Sequence, residues 1–577
     1  MYKWSLDDLY TSFTSPEYQA DFKRLDSLLK EMQEYQLVDT LEGVKGAINL
    51  VEEYNELLSR LSAFINLTLT TNTSDPVANN DMSLLSQKNA NFQKELARFR
   101  KFFGTTQVDL SQDPTLAGYT FLFEEASKEV SHILSDDVEE VIAKLTVSAG
   151  DAWEQLQSYL TSTVETDFKD QKTTLSEIRN LAFDADPQVR KDAFLAELDM
   201  YQTIKEPIAF ALNNIKSQVN TVCELRDFES GLDQALHHSR MKKETLDALL
   251  SAMQDSLPAF RRYLKHKASL LGHSNGLPFY DLFAPMGQSN RRFTIEESKD
   301  FLLENFSTFS KDLADMTEEF YDKSYIDFLP HKGKVGGAFC WNLPFIKQSR
   351  ILTNFSGSLS DVVTLAHELG HAYHGLHIEN HQILNRDYSM PVAETASTFN
   401  ENIIMNTAIK EADDAEKIAL IESQLQDTTQ IIVDIYSRYL FESAVFEKRQ
   451  SGFLFADQLE TMMLDAQKEA YGDGLDPEYL HPYMWVNKGH YYSAHLSFYN
   501  FPYAFGGLFS KGLYAIYQEN PQGFVEKYQE LLYMTTVSSV EDTAKVMGID
   551  LTKKEFWSKA LGQVEESIDQ FIALTSK

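Results

Sequence analysis

For roughly its first 300 residues the chain repeats one pattern, apolar side chains every three or four positions, as in FKRLDSLLKEMQEYQLV and KETLDALLSAMQDSLPAFRRYLKHKASLLG. That period sets the apolar residues along one stripe of an α-helix, and each stripe needs a partner to be buried. The chain is therefore expected to be mainly α, a large multi-helix protein. Its 577 residues, 43% of them hydrophobic, suffice for a sizeable core. Breaks at TQVDLSQDPTLAG and DADPQ place soft boundaries near residues 110 and 190, dividing the chain into 1–110, 111–190 and 191–577. No fixed-period repeat or low-complexity tract interrupts this order.

One stretch leaves the helical pattern. Residues 332–357, KGKVGGAFCWNLPFIKQSRILTNFSG, are rich in glycine, aromatic and β-branched residues with short alternating runs. A small β-hairpin or edge sheet is expected there. It leads directly into LAHELGHAYHG, which contains H-E-x-x-H at His367, Glu368 and His371. Two histidines four apart share a helix face, about 6 Å apart at Cβ, so both imidazoles can reach one tetrahedral ion while Glu368 projects beside it. Ser358 and Asp361 offer a capping-box start for that helix, and Val362, Val363, Leu365, Ala366 and Leu369 recur at helical spacing. Chance supplies such a motif in about one chain in thirty of this composition, so context has to decide.

Context offers two third ligands. Glu394, in SMPVAETASTFNEN, is expected one turn into a second helix with Ser389 as N-cap and Pro391 in its first turn, and it would complete a His₂Glu site with one position open for water. Thr398 and Glu401 would share its face, Glu401 as a partner for a ligating imidazole. His377 is the alternative, six residues after His371 as in metzincins. The glycine such a turn needs is displaced to Gly375, with His374 in its place, which favours Glu394.

Charge and cysteine usage exclude other classes. Against 52 basic residues stand 86 acidic ones, a formal charge of -34 that repels nucleic acid and anionic membranes. Cys223 and Cys340 lie far apart and build no disulfide framework. MYKWSLDDLY does not read as a secretory signal, and no apolar run is long enough to span a membrane, so a cytoplasmic address is expected.

HELGHAYH followed by PVAETASTFNE resembles the M3 family of zinc oligopeptidases, most closely its oligoendopeptidase F branch. The opening YKWSLDDLYTSFTSPEYQADF, the GGAFC stretch and HYYSAHLSFYNFPYAFGGLFS extend the likeness across nearly the whole chain. The resemblance implies a two-lobed helical molecule with a deep channel, an oligopeptidase F-type domain over 111–190, and a catalytic domain over 191–577. It also implies an endopeptidase for short peptides with one Zn²⁺ per chain, held by His367, His371 and Glu394, and with Glu368 as general base. A histidine and tyrosines of the late segment would stabilise the transition state, His490, Tyr499 and Tyr503 ahead of the neighbouring His495. A metzincin-type peptidase using His377 and a helical zinc-binding protein without turnover are the competing readings.

Overall fold

The computed structural model describes residues 2–287 and 291–576, and helices make up 71% of the chain, as the periodicity requires. Three long helices, Pro16–Glu34, Leu41–Thr71 and Pro76–Thr105, open the fold. Ser15, Thr40 and Asp75 cap their first turns by accepting backbone N–H bonds. Their apolar stripes, with Leu28, Val44, Leu61 and Phe99 fully buried, form a first core that extends to Leu343. A second, larger core runs from Leu175 to Phe571 and surrounds the H-E-x-x-H helix. No described helix is long and apolar enough to cross a membrane.

The 332–357 stretch forms the expected hairpin, β4 (Phe339–Leu343) and β5 (Gln348–Leu352), paired antiparallel from Phe339–Leu352 to Leu343–Gln348. A two-residue strand, β3 (Ile326–Asp327), adds in parallel on the far side of β5, so the sheet order is β3-β5-β4 and β4 is an edge. A separate hairpin, β1 (Glu165–Phe168) with β2 (Gln171–Thr174), turns through Lys169 and Asp170 at φ 49° and 65°. Its strands, ETDF and QKTT, lack the apolar alternation that would have revealed them.

From β5 the chain turns at Gly357, φ +91°, where an added Cβ would also stand 2.7 Å from the Phe293 carbonyl oxygen. It then enters the helix Leu359–Ile378. Ser358 and Asp361 make the capping box at its start, as read from the sequence. The second helix departs from expectation. A single turn, Met390–Ala393, ends at Glu394, whose φ of -93° and ψ of 9° break it from the helix Thr395–Glu411. Glu394 thus sits at a junction between helices, not inside one. Its backbone carbonyl accepts from the Ser397 and Thr398 hydroxyls.

Candidate metal centre

The helices Leu359–Ile378 and Thr395–Glu411 pack so closely that a Cβ on Gly370 would lie 2.5 Å from Ala396 O and Ser397 Cα. Gly370 stands between the two motif histidines, so this contact fixes where Glu394 arrives. Asn400 reinforces it by donating to the Ala366 carbonyl at 3.1 Å. The result is a near-equilateral triangle of ligand atoms. His367 Nε2 lies 3.2 Å from His371 Nε2, and Glu394 Oε2 lies 3.3 Å from each. Three ligands of a tetrahedral ion with bonds of about 2.0–2.1 Å stand about 3.3–3.4 Å apart, so the set fits such a metal. Among the described residues these three are the group of His, Cys, Asp and Glu side chains that could hold a metal ion.

Surrounding groups hold the ligands in position. His367 Nδ1 is hydrogen-bonded to Glu401 Oε1 at 2.5 Å, which leaves Nε2 free to bind a metal. Burial would lower the His367 pKa, but this bond and the charges of Glu401 and Glu394 outweigh it and raise it to about 9. Burial would likewise raise the Glu394 carboxyl. The hydrogen bond and charge of His371, with the Ser397 hydroxyl at 2.7 Å, instead hold it at about 2. Glu368 behaves oppositely. It is 6% exposed, and burial lifts its carboxyl above the usual range against the pull of His367 and His371.

Glu368 also faces β4. The Cys340 thiol is pushed well up, first by burial and then by the charge of Glu368. Ala372, Gly375 and Glu379 continue the Glu368 face along the helix and line a cavity of about 650 Å³. Trp341 and Asn342 of β4 and Ser59 of the first helical bundle form its other walls.

The late segment reaches the site through the helix Phe501–Glu519. A Cβ on Gly506 would lie 3.4 Å from Glu394 Cβ, and Tyr503, one turn earlier, feels the Glu394 charge. The Tyr503 ring is 5.2 Å from that of Tyr499, which in turn is 6.4 Å from the His490 ring. Burial and the nearby cations Arg438, Lys488 and Lys216 lower the His490 pKa to about 3, so its imidazole is neutral. His495 points elsewhere, its Nε2 3.2 Å from Asp151 Oδ1. His377 also lies apart. Six residues beyond His371 it has rotated off the ligand face, its ring stacks edge-on to Tyr373 at 4.5 Å, and burial lowers it to about 4. Ser397, Arg438 and Lys488 escaped sequence reasoning. Ser397, at i+3 from Glu394, carries a spacing signal, whereas Arg438 lies in an ordinary helical run.

The profile of peptidase family M3 matches residues 180–563, two thirds of the chain, and that of Oligopeptidase F matches residues 108–165. The chain belongs to peptidase family M3. Among relatives of this M3 metallopeptidase, Oligopeptidase PepF of Bacillus subtilis is 23% identical across all of this chain and 87% of its own length. Group B oligopeptidase PepB of Streptococcus agalactiae is 27% identical over 82% of this chain and 79% of its own. A crystallised protein from Chlamydophila abortus shares the fold of the M3 metallopeptidase with a TM-score of 0.87, at 20% identity, over 99% of this chain and 98% of the other.

Proposed function

We propose that this metallopeptidase is a zinc-dependent oligoendopeptidase that hydrolyses internal bonds of short peptides, with His367, His371 and Glu394 as zinc ligands. The observation that carries the reading is the 3.2–3.3 Å triangle of ligand atoms with the buried, non-ligating Glu368 beside it. Zinc held there would supply Lewis acidity and lower the pKa of a water toward neutrality. Glu368 accepts the proton of the attacking water and delivers it to the departing amine, and burial, by raising its carboxyl, suits it to both transfers. Tyr503 and Tyr499 stand on the Glu394 side as donors to the developing oxyanion. Neutral His490 extends that wall as a further donor. Glu401 fixes the His367 tautomer.

The peptide would lie along the outer edge of β4, where no strand pairs among the described residues, its backbone adding to the sheet beside Glu368. The cavity lined by Gly375 and Trp341 supports a channel continuing from that edge. The relatives' names, PepF and PepB oligopeptidases, support short peptides as substrates. The same reading keeps residues 111–190 as an accessory helical unit and 191–577 as the catalytic one. A cleavage map of a quenched fluorescent peptide of about eight residues, read by mass spectrometry with and without chelator, tests it. Chelator-sensitive cuts at internal bonds are expected, and release of terminal residues alone would refute the endopeptidase assignment.

A further inference from the structure

Several buried polar atoms without a hydrogen-bond partner lie on the segment around His490. They include Trp485 Nε1, Asn487 Oδ1, His490 Nε2 and Tyr491 Oη, and Arg438 Nε is another. Buried polar groups in folded proteins are paired, so a concentration of orphans marks a place made for water or a ligand. The charges there are also out of balance. Lys216 is taken by Glu442 at 2.8 Å, both fully buried. Arg438 is paired with Asp434, which also accepts from Tyr471 at 3.3 Å. Glu197 is held by Arg179 at 3.2 Å and approached by His481 at 3.5 Å.

Lys488 alone in this group makes no ion pair or side-chain hydrogen bond among the described residues. It is half-buried, lines a cavity of about 160 Å³ with Arg179, Gln430 and His481, and precedes His490 by two residues. The charges that act most strongly on Lys488 are the cations Arg438 and Arg179 and the anions Asp434 and Glu197, so that with Lys488 itself cations outnumber anions by one in a protein of net charge -34. A carboxylate is the ligand that answers both the excess charge and the missing partner.

We propose that Lys488, with Arg438 behind it, forms a subsite for a carboxylate of the peptide substrate, either its C-terminus or an acidic side chain. The subsite rests on the reading that His490 and Tyr499 wall the peptide-binding groove. Burial, followed by the like charge of Arg438, pulls the Lys488 ammonium down to about 7, and a bound carboxylate would offset that cost.

The test uses full-length zinc-loaded protein carrying Glu368→Gln, so that binding is read without turnover. Fluorescence anisotropy compares a labelled peptide lacking acidic residues as free acid and as C-terminal amide, and the amide with one internal Asp or Asn. The free acid, or the Asp-containing amide, should bind about tenfold tighter than its neutral counterpart, and Lys488→Met should abolish that preference while leaving the neutral peptide's affinity unchanged. Which pair shows the effect identifies the source of the carboxylate. Lys488→Arg, a second variant that retains the charge, should keep the preference. Equal binding of charged and neutral peptides in the parent background, or equal weakening of both by Lys488→Met, would overturn the proposal. Glu368→Gln protein that still hydrolyses peptide at the parent rate would instead overturn the catalytic reading, leaving the acid-to-neutral comparison intact.

Discussion

Replacing Gly370 by alanine tests how the packing of the helices Leu359–Ile378 and Thr395–Glu411 sets the proposed metal triangle. The new Cβ would stand 2.5 Å from Ala396 O and Ser397 Cα, about 0.9 Å inside ordinary contact, and both obstacles are backbone. The helices must separate to admit it, at a cost of about 1–3 kcal/mol typical of overpacking. Because Glu394 lies two residues before Ala396, the separation also carries Glu394 away from His367 and His371. A shift of even half that size exceeds the roughly 0.2 Å tolerance of a metal bond, so zinc affinity should fall by tenfold or more. Zinc per chain after dialysis against a competing chelator, with the denaturant midpoint of the same samples, reads both effects. Gly562→Ala is the control, since nothing lies within 4 Å of its added Cβ and a helical glycine replaced by alanine gains up to about 1 kcal/mol. Gly370→Ala protein with full zinc and the parent midpoint would refute the argument.

Other consequences follow from the same geometry. Glu401→Gln should weaken zinc binding by about 10–100-fold, measured by chelator competition, because the His367 tautomer loses its anionic acceptor. With His367 raised to about 9, zinc binding near pH 7.5 should release about one proton, seen calorimetrically across buffers of different ionisation enthalpy. In metal-free protein the raised pKa contributes stability that is fully present below about pH 6.5, the unfolded value, and is lost as pH rises through about 9. The unfolding midpoint should therefore fall between pH 7 and pH 10 in zinc-free samples. Tyr503→Phe should retain zinc while kcat drops about 100-fold, as loss of one oxyanion donor predicts.

The metal helix was the most legible part of the fold, because its cap, apolar spacing and two histidines are all local features of one segment. Glu401 was legible for the same reason, seven residues from Glu394 on a shared face. The break at Glu394 was not. Ser389 and Pro391 do start a helical turn, but the turn ends after Ala393 and a new helix starts at Thr395, which no local signal announces. β3 was hidden because two residues cannot show a period, and β1 with β2 because polar strands show no alternation. His377 looked eligible by count alone. On a continuous helix its direction excludes it from the ligand face, since nothing turns the chain between His371 and Ile378. Arg438 belongs to no motif, and only the folded chain brings it toward His490, whereas Lys488 lies two residues before His490 with no pattern to single it out.

The central claim is that His367, His371 and Glu394 hold one zinc ion while Glu368 does not. A crystal of the zinc-loaded protein, with diffraction recorded on both sides of the zinc absorption edge, tests it most directly. The account predicts one anomalous peak within bonding distance of His367 Nε2, His371 Nε2 and Glu394 Oε2, unchanged in Glu368→Gln crystals. A peak bound to His377 or to Glu368 in place of Glu394, or no peak at the motif, would contradict it.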